Sequence, residues 1–382
     1  MKIRYFDNAA TTPVREEVIK EMIPYFGVEY GNASVMYSLG RNAKRAMSKA
    51  RNQVAHSLNC KSSEIYFTSC GSESDNLGIK GYAYANKRKG NHIITTKIEH
   101  HAVLDACRSL EQEGFEVTYL NVDEKGKINL QELVNSIKDN TILITIMFAN
   151  NEIGTIEPIE EIGNIAKKNN IVFHTDAVQA IGNIKIDVNK LNIDMLSLSG
   201  HKFYAPKGVG ALYVKEGIKL KKMLDGGEQE QNLRAGTENV AEIVGLGKAI
   251  ELIYDEFDLY NQKIKKFRDY YIEEISKNIK NIKINGDIEE RLAGNANISF
   301  PDISGPELLF ELDKLGICAS AGSACSTSNP MPSHVLTAIG LDKNYANSTL
   351  RISFGKDNTI EDVDFLIKSI IDIVNKKNIK NN

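Results

Sequence analysis

The chain has 382 residues, 42% of them hydrophobic and 25% charged, with a formal net charge of −3. That length allows one large core plus a smaller unit, and the composition is ordinary for a water-soluble globular enzyme. The balanced charge argues against a nucleic-acid or membrane-surface binder, and no apolar run approaches the ~20 residues that span a bilayer.

The opening stretch, residues 1–7, lacks the apolar segment of a signal peptide, so a cytoplasmic protein is expected. Five cysteines, Cys60, Cys70, Cys107, Cys318 and Cys325, form an odd set without a CxxC pair. Reduced thiols are therefore expected, rather than disulfides or a zinc site. In chain order, short apolar runs fall at 64–68, 92–95, 117–120, 141–148, 171–174, 195–198 and 209–214. Each precedes a polar or glycine-containing turn and then a helical pattern. Strands alternating with helices predict an α/β fold, a mainly parallel sheet covered on both faces. After Gly236 the pattern changes: 240–279 reads as a long amphipathic helix. Strand-like pieces at 282–284, 296–300, 317–320 and 350–353 follow, then a final helix from about Ile360. A second, smaller α+β domain is expected, with residues 16–257 forming the large domain and residues 1–15 and 258–382 the small one.

Ligands of open α/β sheets gather at the carboxyl ends of the strands. Four predicted strand ends carry chemistry. After the first come Ser69-Cys70-Gly71-Ser72-Glu73-Ser74-Asp75, where Gly71 permits close approach. Ser72 and Asp75 read as a capping box at a helix start suited to phosphate, or as a plain helix cap. After the fourth, Asn150 and Asn151 suit either a ligand or an Asx turn. At the end of the fifth, Asp176 is costly to desolvate unless it meets a cation, such as a protonated pyridine nitrogen, or caps a helix. Lys202 follows the sixth, flanked by Ser199, Gly200 and His201; a lysine in a closed site can form a Schiff base.

With these residues in place, the chain resembles the NifS/IscS-type cysteine desulfurases, class V aminotransferase relatives within the fold-type I enzymes that use pyridoxal 5'-phosphate. The resemblance runs from Tyr5-Phe6-Asp7-Asn8-Ala9-Ala10-Thr11-Thr12 to Leu350-Arg351-Ile352-Ser353-Phe354-Gly355. Its most specific blocks are Ser199-Gly200-His201-Lys202 and Gly322-Ser323-Ala324-Cys325. It implies a fold-type I transferase whose large domain holds a seven-stranded, mainly parallel sheet between helices. It also implies Lys202 as the Schiff-base lysine and Asp176 as partner of the pyridine nitrogen. Asn151 and Gln179 would lie near the ring hydroxyl, and Gly71, Ser72, Ser199 and His201 around the phosphate. His100 would stack on the ring and shuttle protons, while Arg351, with Asn151 beside it, would bind the substrate carboxylate. Thr237 would complete the phosphate site of a second subunit, implying a homodimer. Ser72 replaces the family's usual Thr, and Ala33 and Tyr37 stand where Pro and His are customary. His101 is expected at the surface, and Cys318 as a small buried hydrophobe.

Residues 321–332 are small, polar and broken by prolines, so a mobile surface loop is expected, carrying a cysteine with no packing task. The implied reaction converts L-cysteine to L-alanine and leaves a persulfide on Cys325 for an acceptor, such as an iron–sulfur scaffold protein. Selenocysteine lyase and aminotransferase activities are the alternatives within the group. A catalytically dead assembly partner would not need the full residue set.

Overall fold

The computed structural model describes residues 2–321 and 332–381. Its strands are β1 (Arg4–Tyr5), β2 (Ile65–Thr68), β3 (His92–Thr96), β4 (Glu116–Leu120), β5 (Thr141–Thr145), β6 (Val172–Asp176), β7 (Met195–Ser199), β8 (Gly210–Val214), β9 (Lys283–Ile284), β10 (Asn295–Ser299), β11 (Ile317–Cys318) and β12 (Thr349–Ser353). The central sheet has seven strands in the order β2-β8-β7-β6-β5-β3-β4. Only β8 runs against its neighbours, pairing antiparallel with both β2 and β7. The carboxyl ends of the other strands therefore share one edge.

Adjacent residues of one strand feed opposite cores, as the two-residue period of a pleated strand requires. Ile93, Leu143, Met195 and Leu212 pack with Leu77, Tyr82 and Leu110 on one face. Their neighbours Ile94, Ile144, Leu196 and Ala211 pack with Val54, Ile162 and Leu246 on the other. Helices Gly71–Asn86 and His101–Gln112 supply the first cover; Ser38–Leu58, Ile159–Lys168 and Val240–Asp255 supply the second. Burial on both faces is why these strands read as continuous apolar runs.

The single long helix expected over 240–279 is two helices, Val240–Asp255 and Phe257–Asn278, separated at Glu256. A separate apolar cluster then gathers Phe6, Ile264, Ile298, Phe300, Leu350, Ile352 and Leu366 around the sheet β12-β10-β9. The N-terminal segment reaches it through β1, which pairs parallel with β11. Cys318 is half-buried rather than buried, because the two-stranded β1–β11 ribbon is covered incompletely. No helix among the described residues is long and apolar enough to cross a membrane.

Candidate active site

A cavity of about 290 Å³ opens at the carboxyl edge of the central sheet. It brings together Gly71, Ser72, His100, Asn151, Asp176, Gln179, Ser199, His201, Lys202 and Arg351, drawn from five strand ends and the smaller sheet. Thr237 is not on its wall; it is exposed in a surface groove beside Thr68, Ser69 and Arg234. Cys325 lies outside the described residues, but both flanks of its segment are at the cavity. Ser320 Oγ donates to Asp7 Oδ2 at 2.7 Å, and Asp7 Oδ1 accepts from Arg351 Nη2 at 2.8 Å. On the other flank, Ser333 Oγ donates to Glu152 Oε2 at 2.6 Å, and Glu152 and His334 line the cavity.

Lys202 sits in the turn after β7, where Nζ donates to the carbonyls of Ala9 and Ala10 at 2.7 and 2.8 Å. The N-terminal segment thus aims the amine. Gln179 Nε2 donates to the same Ala9 carbonyl at 3.0 Å. Asp176 ends β6, 6% exposed, with one oxygen accepting from Val178 N at 2.9 Å. Burial pushes its pKa up, against the pull of His100 and Lys202. No helix begins after Asp176; its backbone bond closes a turn. His201 bonds Thr11 Oγ1 through Nδ1 at 3.1 Å, and burial beside Lys202 lowers its pKa to about 4.

His100 caps helix His101–Gln112, with Nδ1 accepting from Ala102 N at 3.1 Å. Burial lowers its pKa. Because Nδ1 is an acceptor, the neutral ring carries its proton on Nε2, the only nitrogen left for proton exchange. His101 is exposed as expected, yet its ring also borders the cavity, 4.8 Å from His334.

One expectation needs correction, and one pair of alternatives is resolved. The capping box of Ser72 and Asp75 does not form: the helix starts at Gly71, Cys70 occupies the N-cap with no side-chain bond, and Ser72 is exposed while Asp75 is 1% exposed. Glu73 instead takes the Ser69 amide at 2.7 Å, leaving the first helical amides to a ligand. The Asx turn belongs to Asn150, whose Oδ1 accepts from Glu152 N and Ile153 N, while Asn151 faces the cavity. The residues given no role from the sequence were Asp7, Cys70, Glu152 and His334, and Asp75 was given the wrong one. Asp75 alone had a sequence signal, a charge in register with Gly78, Ile79 and Tyr82 on a helix face that packs inward.

Behind the cavity His174, in β6, is fully buried, with Nδ1 2.8 Å from Thr145 Oγ1 and Nε2 3.0 Å from Ser197 Oγ. Burial lowers its pKa from the ordinary 6.5 to about 3. Below 6.5 the unfolded ring gains a proton that the folded ring refuses until near 3. Stability linked to this ring is thus complete above 6.5 and is lost as pH falls through that window. The expected result is a His174 ring resonance that does not titrate between about pH 5 and 8; a midpoint near 6.5 would contradict it.

A bound pyridoxal phosphate fits the donor set. Helix amides at Gly71 and Ser72 suit a phosphate, and buried Asp176 suits a protonated ring nitrogen. A Cβ at position 71 would come within 2.7 Å of Val178 Cγ2, so only glycine keeps this approach open. Arg351 is 1% exposed, donates to Asn151 O and Asp7, and has an Nε with no partner among the described residues.

The sequence profile of the Aminotransferase class-V family matches residues 4–366. The chain is 55% identical to "Cysteine desulfurase IscS" of Methanosarcina thermophila, over 98% of this chain and 93% of the relative. A Clostridium botulinum protein of the same name is 52% identical over 98% of this chain and 94% of its own. Among solved structures, a NifS-like protein superposes with a TM-score of 0.92 at 39% identity, covering 98% of this chain and 100% of its own. The structure "SspA in complex with cysteine" gives 0.83 at 41% identity, over 92% and 99% of the two chains.

Proposed function

The chain belongs to the class-V aminotransferase family and is a cysteine desulfurase, and on that premise we propose how its own residues divide the reaction. The observation that carries the assignment is one cavity wall joining Lys202, Asp176, His100 and Arg351 to both flanks of the segment that contains Cys325.

Lys202 would hold pyridoxal 5'-phosphate as a Schiff base, with Gly71, Ser72, Ser199 and His201 at the phosphate and Asn151 and Gln179 at the ring hydroxyl. When bound, that group supplies an electron sink conjugated to the substrate α-carbon. Asp176 would hold the ring nitrogen in its protonated form. Arg351 offers its Nε, which has no partner among the described residues, and its remaining guanidinium hydrogens to the carboxylate of L-cysteine, a substrate supported by the cysteine-bound relative. Freed once the substrate amine takes its place on the cofactor, the Lys202 amine would take the proton from the substrate α-carbon, and His100 would exchange a thiol proton through Nε2. The Cys325 thiolate attacks the substrate sulfur: a new S–S bond forms as the substrate Cβ–S bond breaks, leaving a persulfide on Cys325 and, after protonation, L-alanine.

We further propose that the persulfide passes to an acceptor protein such as an iron–sulfur scaffold, that the enzyme acts in the cytoplasm, and that it is a homodimer in which Thr237 completes the partner's phosphate site. The exposed position of Thr237, off its own chain's cavity, supports that last point. The separate apolar clusters on either side of Glu256 support a two-domain division near residue 257. Mass spectrometry after incubation with L-cysteine should find one extra sulfur on Cys325 and an equivalent of alanine. Alanine formation with the added sulfur on another cysteine would overturn the assignment.

A further inference from the structure

Two carboxylates, Asp75 and Asp176, line the same cavity, and both are almost wholly buried. They arrive from different elements. Helix Gly71–Asn86 lies across β6, where Gly78 approaches the His174 ring so closely that a Cβ there would stand 3.2 Å from Cδ2. About one turn earlier on the same helix face, Asp75 reaches the same ring, its Oδ1 3.8 Å from His174 Nε2. That oxygen has no hydrogen-bond partner among the described residues.

We propose that Asp75 is a positioning residue for Asp176: a second cavity carboxyl held in its neutral form, so that Asp176 remains the one anionic partner for a cationic ring nitrogen. The proposal rests on the cofactor reading above. Its physical basis is that two buried carboxylates near one another cannot both ionise without enough positive charge. The groups facing Asp75 include Asp176 and His174 from β6, Ser197 from β7, whose hydroxyl pulls the other way by favouring the ionised form, Glu99 from the turn after β3, and Cys70 from its own helix start. None of these is a cation, since burial keeps His174 neutral. The Lys202 amine, by contrast, faces Asp176, so the ionised form belongs at Asp176. Burial first, and Asp176 second, push the Asp75 pKa well above the usual carboxylate range. Glu99, fully buried with Oε1 accepting from Thr96 and the Met147 amide, is pushed up in the same way. An ionised Asp75 would raise the pKa of Asp176 and draw the ring cation toward itself.

The test uses the full chain, with and without pyridoxal phosphate, as wild type and Asp75→Asn. A neutral Asp75 keeps, in the folded chain, a proton that the unfolded carboxyl gives up above about pH 4. Wild-type stability should therefore fall relative to Asp75→Asn as pH rises from 5 to 9, read as a growing difference in melting temperature without cofactor. With cofactor, Asp75→Asn should keep the wild-type absorbance and a dissociation constant within about threefold, whereas Asp75→Leu should weaken binding by about tenfold. A melting temperature of Asp75→Asn minus that of wild type that stays constant or falls as pH rises from 5 to 9 would overturn the proposal, as would a more than about threefold loss of cofactor affinity in Asp75→Asn. Melting without cofactor involves no sulfur chemistry, so its outcome stands apart from the fate of the desulfurase assignment.

Discussion

Replacing Cys325 with serine is expected to lower alanine formation from cysteine by about a thousandfold or more, while the visible absorbance of bound pyridoxal phosphate persists. The effect is large because serine removes the proposed nucleophile, and a hydroxyl has neither the thiolate fraction nor the sulfur affinity of a thiol. Loss of a nucleophile is not compensated by the residues around it, as mutant kinetics of other covalent enzymes show. The absorbance should persist because Lys202, Asp176 and the helix start at Gly71 lie in the described wall and do not include Cys325. Chain geometry is consistent with delivery. Cys325 is five residues beyond Ser320, and a fully extended chain keeps it within about 17 Å of that anchored residue. The anchor is itself tied to the proposed substrate site, since Ser320 exchanges backbone bonds with Arg351 and shares Asp7 with the Arg351 guanidinium. Alanine formation and absorbance are measured on the same sample; turnover close to wild type would remove Cys325 from the mechanism.

Much of this arrangement was legible in the sequence because it is local. Strands buried on both faces write themselves as apolar runs, and the residues just past their ends must lie on one edge when the strands are parallel. That logic points to Asp176 and Lys202, and to Asn150 and Asn151 without choosing between them. Strand length was less legible: the run 141–148 stays apolar beyond Thr145, where β5 ends, because Ile146, Met147 and Phe148 remain buried as the chain leaves the ladder. Asp75 was misjudged because a capping box and an inward-facing acid share one sequence spelling. Only the packing of that helix against His174 separates them. Asp7, Glu152 and His334 join the cavity through contacts across hundreds of residues, a juxtaposition that no local pattern encodes. Arg351 was found by family resemblance, not by spacing, and the proposed role of Thr237 comes from the same source.

Lys202→Ala is expected to abolish steady-state turnover, with proton transfer alone accounting for a loss on the order of 10²–10⁴. Lys202 is asked to do two things, to hold the cofactor covalently and to move the α-proton, and arginine can do neither at neutral pH because its guanidinium does not deprotonate. Lys202→Arg keeps the positive charge beside Asp176 and can still donate to the Ala9 and Ala10 carbonyls that receive Nζ. Comparing the two variants therefore separates chemistry from electrostatics. If Lys202 acted mainly as a fixed charge, arginine would restore much of the rate that alanine loses. If it acts as base and covalent anchor, both variants should be inactive, and both should lack the visible absorbance of a lysine-bound cofactor. Single-turnover alanine formation from L-cysteine, followed with the absorbance spectrum, reads both properties together. More than about a tenth of the wild-type rate in Lys202→Arg would exclude the proton-transfer role, since a general base contributes at least about a hundredfold.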